Sequence, residues 1–146
     1  MNRDFTRQLM IKSKAAGCTV SLDLASFEVV AANKDLLPEL LERYIDIVFA
    51  NEDEAREFCG EMTPEEQAAE LCKYCSLAAV KLGKEGCCLL ERGGKPVRVP
   101  ANVVEAVDTT GAGDLWQTGF LHGLANGKDL ATCARYGAIT GAEGGQ

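Results

Sequence analysis

Histidine is almost missing from this chain: His122 is the only one in 146 residues. A Ser-His-Asp or Cys-His apparatus needs an imidazole beside its nucleophile, so both are poor expectations here. No apolar run approaches the ~18–20 residues that span a bilayer, and the opening MNRDFTRQLMIKSKAAG lacks the unbroken apolar core of a secretory signal. Clustered cations are absent too. Fifteen Lys and Arg against 22 Asp and Glu leave a net charge of −7, which argues against a phosphate-tracking nucleic-acid binder. These absences make the cytoplasm the expected compartment and argue against nucleic acid or a membrane as partner.

Cysteine is present but poorly arranged for chemistry. Seven thiols (18, 59, 72, 75, 87, 88 and 133) make an odd number without an export signal, so a disulfide framework is not expected. The one tight pair, Cys72-Lys-Tyr-Cys75, has no second CxxC to complete a zinc site. It falls late in an expected helix, whereas a thioredoxin-like dithiol opens one. Buried, reduced thiols acting as small hydrophobes are the simpler reading, and a redox or zinc role is the weakest of the readings weighed.

Hydrophobic residues at 47% and charged residues at 25% are the balance of an ordinary globular domain. The pattern alternates between helical and strand periods. Residues 3–16 read as a helix ending at Gly17, and 18–25 (CTVSLDLA) as a buried strand. A helix over 34–45 follows Asn33 as its expected cap, with Pro38 tolerable near the first turn. A second buried strand at 46–50 leads into Asn51-Glu-Asp-Glu54 and a short helix to about Cys59. Thr63-Pro-Glu-Glu66 is a capping sequence that starts a helix running to about Cys75. Strands follow at 77–82, 87–91 and 96–100, joined by turns at Gly83–Gly86 and Arg92–Lys95, with another at 103–107. Helical spacing resumes after the 108–114 segment to about Asn126, and again from about Leu130 to Ala142. The expected fold is an open α/β sheet, mainly parallel and flanked by helices, with a small antiparallel meander near 77–107.

Ligands of such sheets bind beyond the carboxyl ends of the strands. Three polar constellations fall there: Asn51/Glu54, Gly83/Gly86 and the segment 108–114, DTTGAGD. The last is the sharpest. Gly111, Ala112 and Gly113 let backbone approach a ligand closely, and the open amides of a helix start favour a phosphate. Asp114 would repel that phosphate as a bystander. It fits as a base, taking the proton of a hydroxyl held between itself and the phosphorus. The plainer readings are a glycine-rich helix start for 111–114, a helix cap for Asn51/Glu54 and turn glycines for Gly83 and Gly86. Neither GxGxxG nor GxxxxGK[ST] is present, and the terminal Gly144-Gly-Gln146 is read as accident. Gly119 and Gly123 are expected to admit a close neighbour, with Trp116, Phe120 and Leu124 as a core stripe.

DTTGAGD, preceded by NEDE and VKLGKEG in the same order and spacing, resembles the carboxyl-terminal part of the ribokinase-like, or PfkB, carbohydrate and nucleoside kinases. The resemblance covers nearly the whole chain. It implies ATP-dependent transfer of the γ-phosphate to a sugar or nucleoside hydroxyl, with Asp114 as catalytic base. The amides of Gly111, Ala112, Gly113 and Asp114 then form the anion hole. Asn51 and Glu54 match the NxxE motif that organises Mg2+ through its waters. Asp23, Lys81, Gly83, Gly86 and Thr110 match positions facing the nucleotide. Asp108 and Thr110 match positions that hold a monovalent cation such as K+ in some members.

One departure accompanies the matches. The family's lid and acceptor-binding strands precede the matched part, so residues 1–146 are expected to form an incomplete fold. Weak turnover from the isolated chain is the corollary, and an unpaired sheet edge becomes an aggregation or homodimerisation hazard. The alternative reading is a catalytically inactive fragment that binds nucleotide or only packs with a partner.

Overall fold

The computed structural model describes residues 3–101 and 112–144, with side chains at 112 and 142–144 left aside. The elements in chain order are α1 (Arg3–Ala15), β1 (Ser21–Asp23), α2 (Phe27–Ala32), α3 (Leu37–Tyr44), β2 (Ile47–Asn51), α4 (Glu52–Cys59), α5 (Pro64–Leu71), β3 (Leu77–Lys81), β4 (Cys87–Glu91), β5 (Val97–Val99), α6 (Ala112–Ala125) and α7 (Leu130–Gly144). The five strands form one sheet in sequential order, β1 to β5. By contacts the chain divides into two units: Met1–Lys81 with Leu89–Pro96, and Leu82–Cys88 with Val97–Gln146.

In the first unit β1, β2 and β3 run parallel, with Leu22 opposite Val48 and Val48 opposite Ala78. Residues 47–50 and 77–80 are all buried. Both faces of the sheet are therefore covered, which is why these strands read as unbroken apolar runs. Helices α4 and α5 pack on β2 and β3, contributing Ala55, Ala68 and Leu71 at 0% exposure. Thr63 and Glu66 close the expected reciprocal cap on α5, at 3.2 Å and 2.9 Å.

Several expectations in this unit need correction. The first strand is three residues long, half-buried to exposed, and lies at the sheet edge with β2 as its neighbour. Residues on either side still bond to β2 and its approach, through Asp46 N–H to Val20 O at 2.8 Å and Leu24 N–H to Phe49 O at 3.0 Å. The next helix starts at Leu37, with Pro38 in its first turn, and Asn33 is not its cap. Asn33 instead terminates α2, a short helix with no long apolar period to announce it, and its Nδ2 donates to Val29 O at 2.7 Å. Helix α5 stops at Leu71, so Cys72 is its C-cap and Cys75 lies beyond it. All seven cysteines carry free thiols; five are buried, Cys59 is half-buried and Cys18 exposed.

The antiparallel part begins at β4. Leu82 N–H donates to Gly86 O and Arg92 N–H to Ser76 O, each at 2.8 Å. Both residue pairs sum to the same number, the mark of an antiparallel register. In the second unit α7 packs on α6 and β5. A Cβ on Gly119 would stand 2.5 Å from Tyr136 O, and one on Gly137 would stand 2.7 Å from Trp116 O. The small residues let the two backbones meet, as the glycine spacing on α6 implies. Trp116 stacks on Phe120 at 5.3 Å, and Phe120 is 0% exposed. The strand expected over 103–107 lies outside the described residues. Among the described residues no helix is long and apolar enough to cross a membrane.

Candidate functional site

Three polar side chains share the carboxyl ends of the parallel strands: Asp23 ends β1, Asn51 ends β2 and Lys81 ends β3. Asn51 lies directly opposite Lys81 in the ladder. Lys81 Nζ reaches Asp23 Oδ2 at 3.8 Å, an ion pair too long for a hydrogen bond, with both side chains under one-third exposed. The other Asp23 oxygen accepts the Ala25 N–H at 2.7 Å. Ala25 has φ +72°, the left-handed region that a non-glycine residue occupies at a cost of about 1–2 kcal/mol. Nothing in the sequence marks that position, because the strain is set by how β1 hands the chain to α2.

Helix α4 begins where β2 ends. Asn51 Oδ1 accepts the Glu54 N–H, while Glu54 Oε2 accepts the Asn51 N–H, each at 2.9 Å. This is the reciprocal cap that the plainer reading of NEDE anticipates. It does more than close a helix, because it holds a carboxylate that is only 3% exposed at the strand ends. Burial pushes Glu54 above its usual range; the Asn51 amide opposes this, Asp23 adds to it and Lys81 offsets it.

A divalent cation here would find oxygen donors but no protein cage. Among the described residues no three His, Cys, Asp or Glu side chains converge on one point. Such a donor set fits Mg2+, which keeps most of its waters and takes one or two carboxylates together with substrate phosphates.

In the second unit Gly83 has φ +57° and Gly86 φ +91°, joined by a single 3-10 turn. A Cβ on Gly86 would lie 1.9 Å from Val99 O, so glycine is required there by the end of β5 as well as by the turn. The expected turn role of Gly86 is thus present whatever the loop also binds.

Helix α6 starts at Ala112, which puts Ala112, Gly113 and Asp114 in its first turn. Their N–H groups fall among the four that find no partner inside a helix. The Asp114 residue is exposed there, and its carbonyl accepts from Thr118 Oγ1 at 2.9 Å. Asp108, Thr110 and Gly111 lie outside the described residues.

A family model described as pfkB family carbohydrate kinase matches residues 2–143. The ribokinase of Arabidopsis thaliana is 34% identical over 134 residues, which are 86% of this chain and 33% of that protein. The crystal structure of adenosine kinase from Sinorhizobium meliloti superimposes with a TM-score of 0.87 at 35% identity, over 95% of this chain and 43% of that one. Arabidopsis thaliana ribokinase complexed with ribose and ATP gives a TM-score of 0.77 at 30% identity, over 92% of this chain and 44% of the other. The chain thus spans less than half the length of each of these relatives. With the motif order, the strand-end cluster and the match over residues 2–143, this chain belongs to the PfkB family of carbohydrate kinases.

Proposed function

We propose that this chain forms the nucleotide-binding and phosphoryl-transfer side of an ATP-dependent kinase acting on a hydroxyl of a sugar or nucleoside. The observation that carries the reading is Asp114, an exposed carboxylate in the first turn of a helix that opens with Ala112 and Gly113. A carboxylate so placed takes a proton from an incoming hydroxyl, while the amides of 111–114 stabilise charge on the phosphoryl oxygens. Asn51 and Glu54 orient water around a divalent ion from the β2–α4 junction. Lys81 and the turn Gly83–Gly86 face the nucleotide, Asp23 balances Lys81, and Asp108 and Thr110 hold a monovalent cation. Bound ATP with Mg2+ would supply the γ-phosphoryl group and neutralise part of its charge.

The reading leaves the acceptor pocket to the share of its relatives that this chain does not span, and places the working enzyme in the cytoplasm. A second reading is favoured by the share of its relatives that the chain spans, 33–44%: it binds nucleotide, or only packs with a partner, without catalysis. Phosphate transfer from labelled ATP to ribose, fructose, adenosine and cytidine separates the two when wild type and Asp114→Asn are compared. The base role predicts a loss of about 10²–10⁴ in rate with ATP binding retained. Near-normal transfer by Asp114→Asn contradicts that role, and no transfer by either protein favours the second reading.

A further inference from the structure

Two of the seven thiols share one turn. Cys72 caps the end of α5 and Cys75 follows three residues later, in backbone that still coils: Cys72 N–H donates to Ala68 O at 3.0 Å and Cys75 N–H to Leu71 O at 3.2 Å. Residues three apart on such a coil have Cα atoms about 5 Å apart, inside the span of about 4.4–6.8 Å that a disulfide bridges. The two side chains hydrogen-bond each other. Each also lies within hydrogen-bond reach of a sheet carbonyl, Cys72 Sγ at 3.2 Å from Leu90 O on β4 and Cys75 Sγ at 3.4 Å from Leu77 O on β3. A helix C-terminus ordinarily disfavours a thiolate, because its unpaired carbonyls leave it negative. Here Arg92 engages those carbonyls, donating from Nε to Cys72 O at 2.9 Å and from Nη2 to Lys73 O at 3.4 Å. The hydrogen bond with Cys75 holds the Cys72 thiol below its usual range; burial opposes this, while the Ala78 amide and Arg92 assist. Burial drives two other thiols the opposite way, and Cys59 and Cys87 are each pushed up to about 12. The turn is not sealed: Tyr74, Cys75, Ser76 and Arg92 help to line a cleft of about 110 Å³, several times the ~30 Å³ that a water occupies.

We propose that Cys72 and Cys75 are a peroxide-sensitive dithiol, a modification site that closes to a disulfide within the folded chain. Cys72, as thiolate, attacks one oxygen of hydrogen peroxide and becomes a sulfenic acid. The O–O bond breaks, and the departing hydroxide takes up the proton that Cys72 gave up. Cys75 then attacks the Cys72 sulfur, the S–S bond forms, and the sulfenic oxygen leaves with the Cys75 proton as a second water. The dithiol loses two electrons and two protons, and one hydrogen peroxide, the oxidant, becomes two waters. Oxidation removes both S–H groups, so the Leu90 and Leu77 carbonyls lose these thiol donors and the turn loses its side-chain tie to β4. The inference is independent of the kinase reading, because the turn lies at the opposite end of β3 from Lys81.

Hydrogen peroxide added to the folded chain, followed by alkylation in urea and peptide mapping, tests the proposal. Trypsin cuts after Lys73, so a Cys72–Cys75 disulfide joins peptides 57–73 and 74–81. Peptide 57–73 also holds Cys59, so Cys59→Ser is mapped beside the wild type to assign the bond. The joined peptides should form in both proteins, part again with dithiothreitol, and appear at least about tenfold faster than Cys59 or Cys87 is oxidised. In Cys75→Ser they should vanish, leaving a Cys72 sulfenic acid that dimedone traps. Phenylarsine oxide, which bridges neighbouring thiols, should bind the folded wild type and shield Cys72 and Cys75 together from later alkylation in urea, a readout that needs no variant to fold. Both thiols still reduced when the exposed Cys18 is fully oxidised would overturn the proposal. So would a disulfide that forms only in urea, a Cys75 joined to Cys59 instead, or an arsenical that leaves both thiols open to alkylation.

Discussion

Two junctions of this molecule place a carboxylate at a helix start, and they do so by opposite means. At the β2–α4 junction Glu54 is 3% exposed, locked to the Asn51 amide at 2.9 Å. At the start of α6 Asp114 is exposed, on a helix whose seat against α7 is set by glycines. The first carboxylate is tuned by charge and burial, the second is positioned by steric fit. Substitutions in the two regions should therefore speak through different observables: pH for the first, side-chain volume for the second.

The largest effect belongs to the steric region. Gly119→Val should cost about 3 kcal/mol or more, because even a Cβ would come within 2.5 Å of the Tyr136 carbonyl oxygen. Urea unfolding measures it, and a cost under about 0.5 kcal/mol would show that α6 and α7 are not held by this approach.

A mid-sized effect tests a charge at the opposite end of β2 from Glu54, just before Ile47. Asp46 accepts from Val20 N–H at 2.8 Å and from Lys14 Nζ at 2.9 Å. Burial works against its ionised form, but these bonds together prevail and hold its pKa below 3.8. Asp46→Ala should cost about 1.5–3 kcal/mol at neutral pH. A depressed pKa gives stability that is present above the unfolded-state value and lost as pH falls through the folded-state value. The gap between the two proteins should accordingly close below about pH 3.8. A gap unchanged across that range would assign the loss to packing.

The smallest effect is the most diagnostic of the buried carboxylate. Glu54 is raised above 4.5 chiefly by burial, so its contribution is complete below the unfolded-state pKa and falls away as pH rises through the folded-state one. Glu54→Gln keeps an oxygen for the Asn51 amide, as capping boxes allow. The variant should match wild type near pH 4 and exceed it by a few tenths of a kcal/mol or more at pH 7, read from Tm. Wild type gaining on the variant as pH rises would mean that Lys81 and Asn51 outweigh burial.

What the sequence made legible was local. Thr63 to Glu66 and Asn51 to Glu54 are reciprocal caps spanning four residues, and their chemistry is complete within that span. The wholly buried strands β2 and β3 announced themselves by unbroken apolar runs, and Gly119 and Gly123 by their spacing. What stayed hidden depends on distant partners. The ion pair from Lys81 to Asp23 crosses the intervening strand β2. The need for glycine at 86 comes from the end of β5. Strand β1 is shorter than its apolar run because β2 pairs with only three of its residues, and α2 is a six-residue helix whose Ser26 cap sits just after a left-handed alanine.

The central claim, as proposed, is that the strand-end residues Asp23, Asn51 and Lys81 serve a nucleotide, with Asp114 acting on the acceptor and not on nucleotide binding. Titration calorimetry of ATP with Mg2+ into this chain tests it most directly, with Lys81→Met and Asp114→Asn beside the wild type. The account predicts saturable binding by wild type, binding retained by Asp114→Asn, and weaker binding by Lys81→Met. No heat and no competition by ADP in any of the three would contradict it.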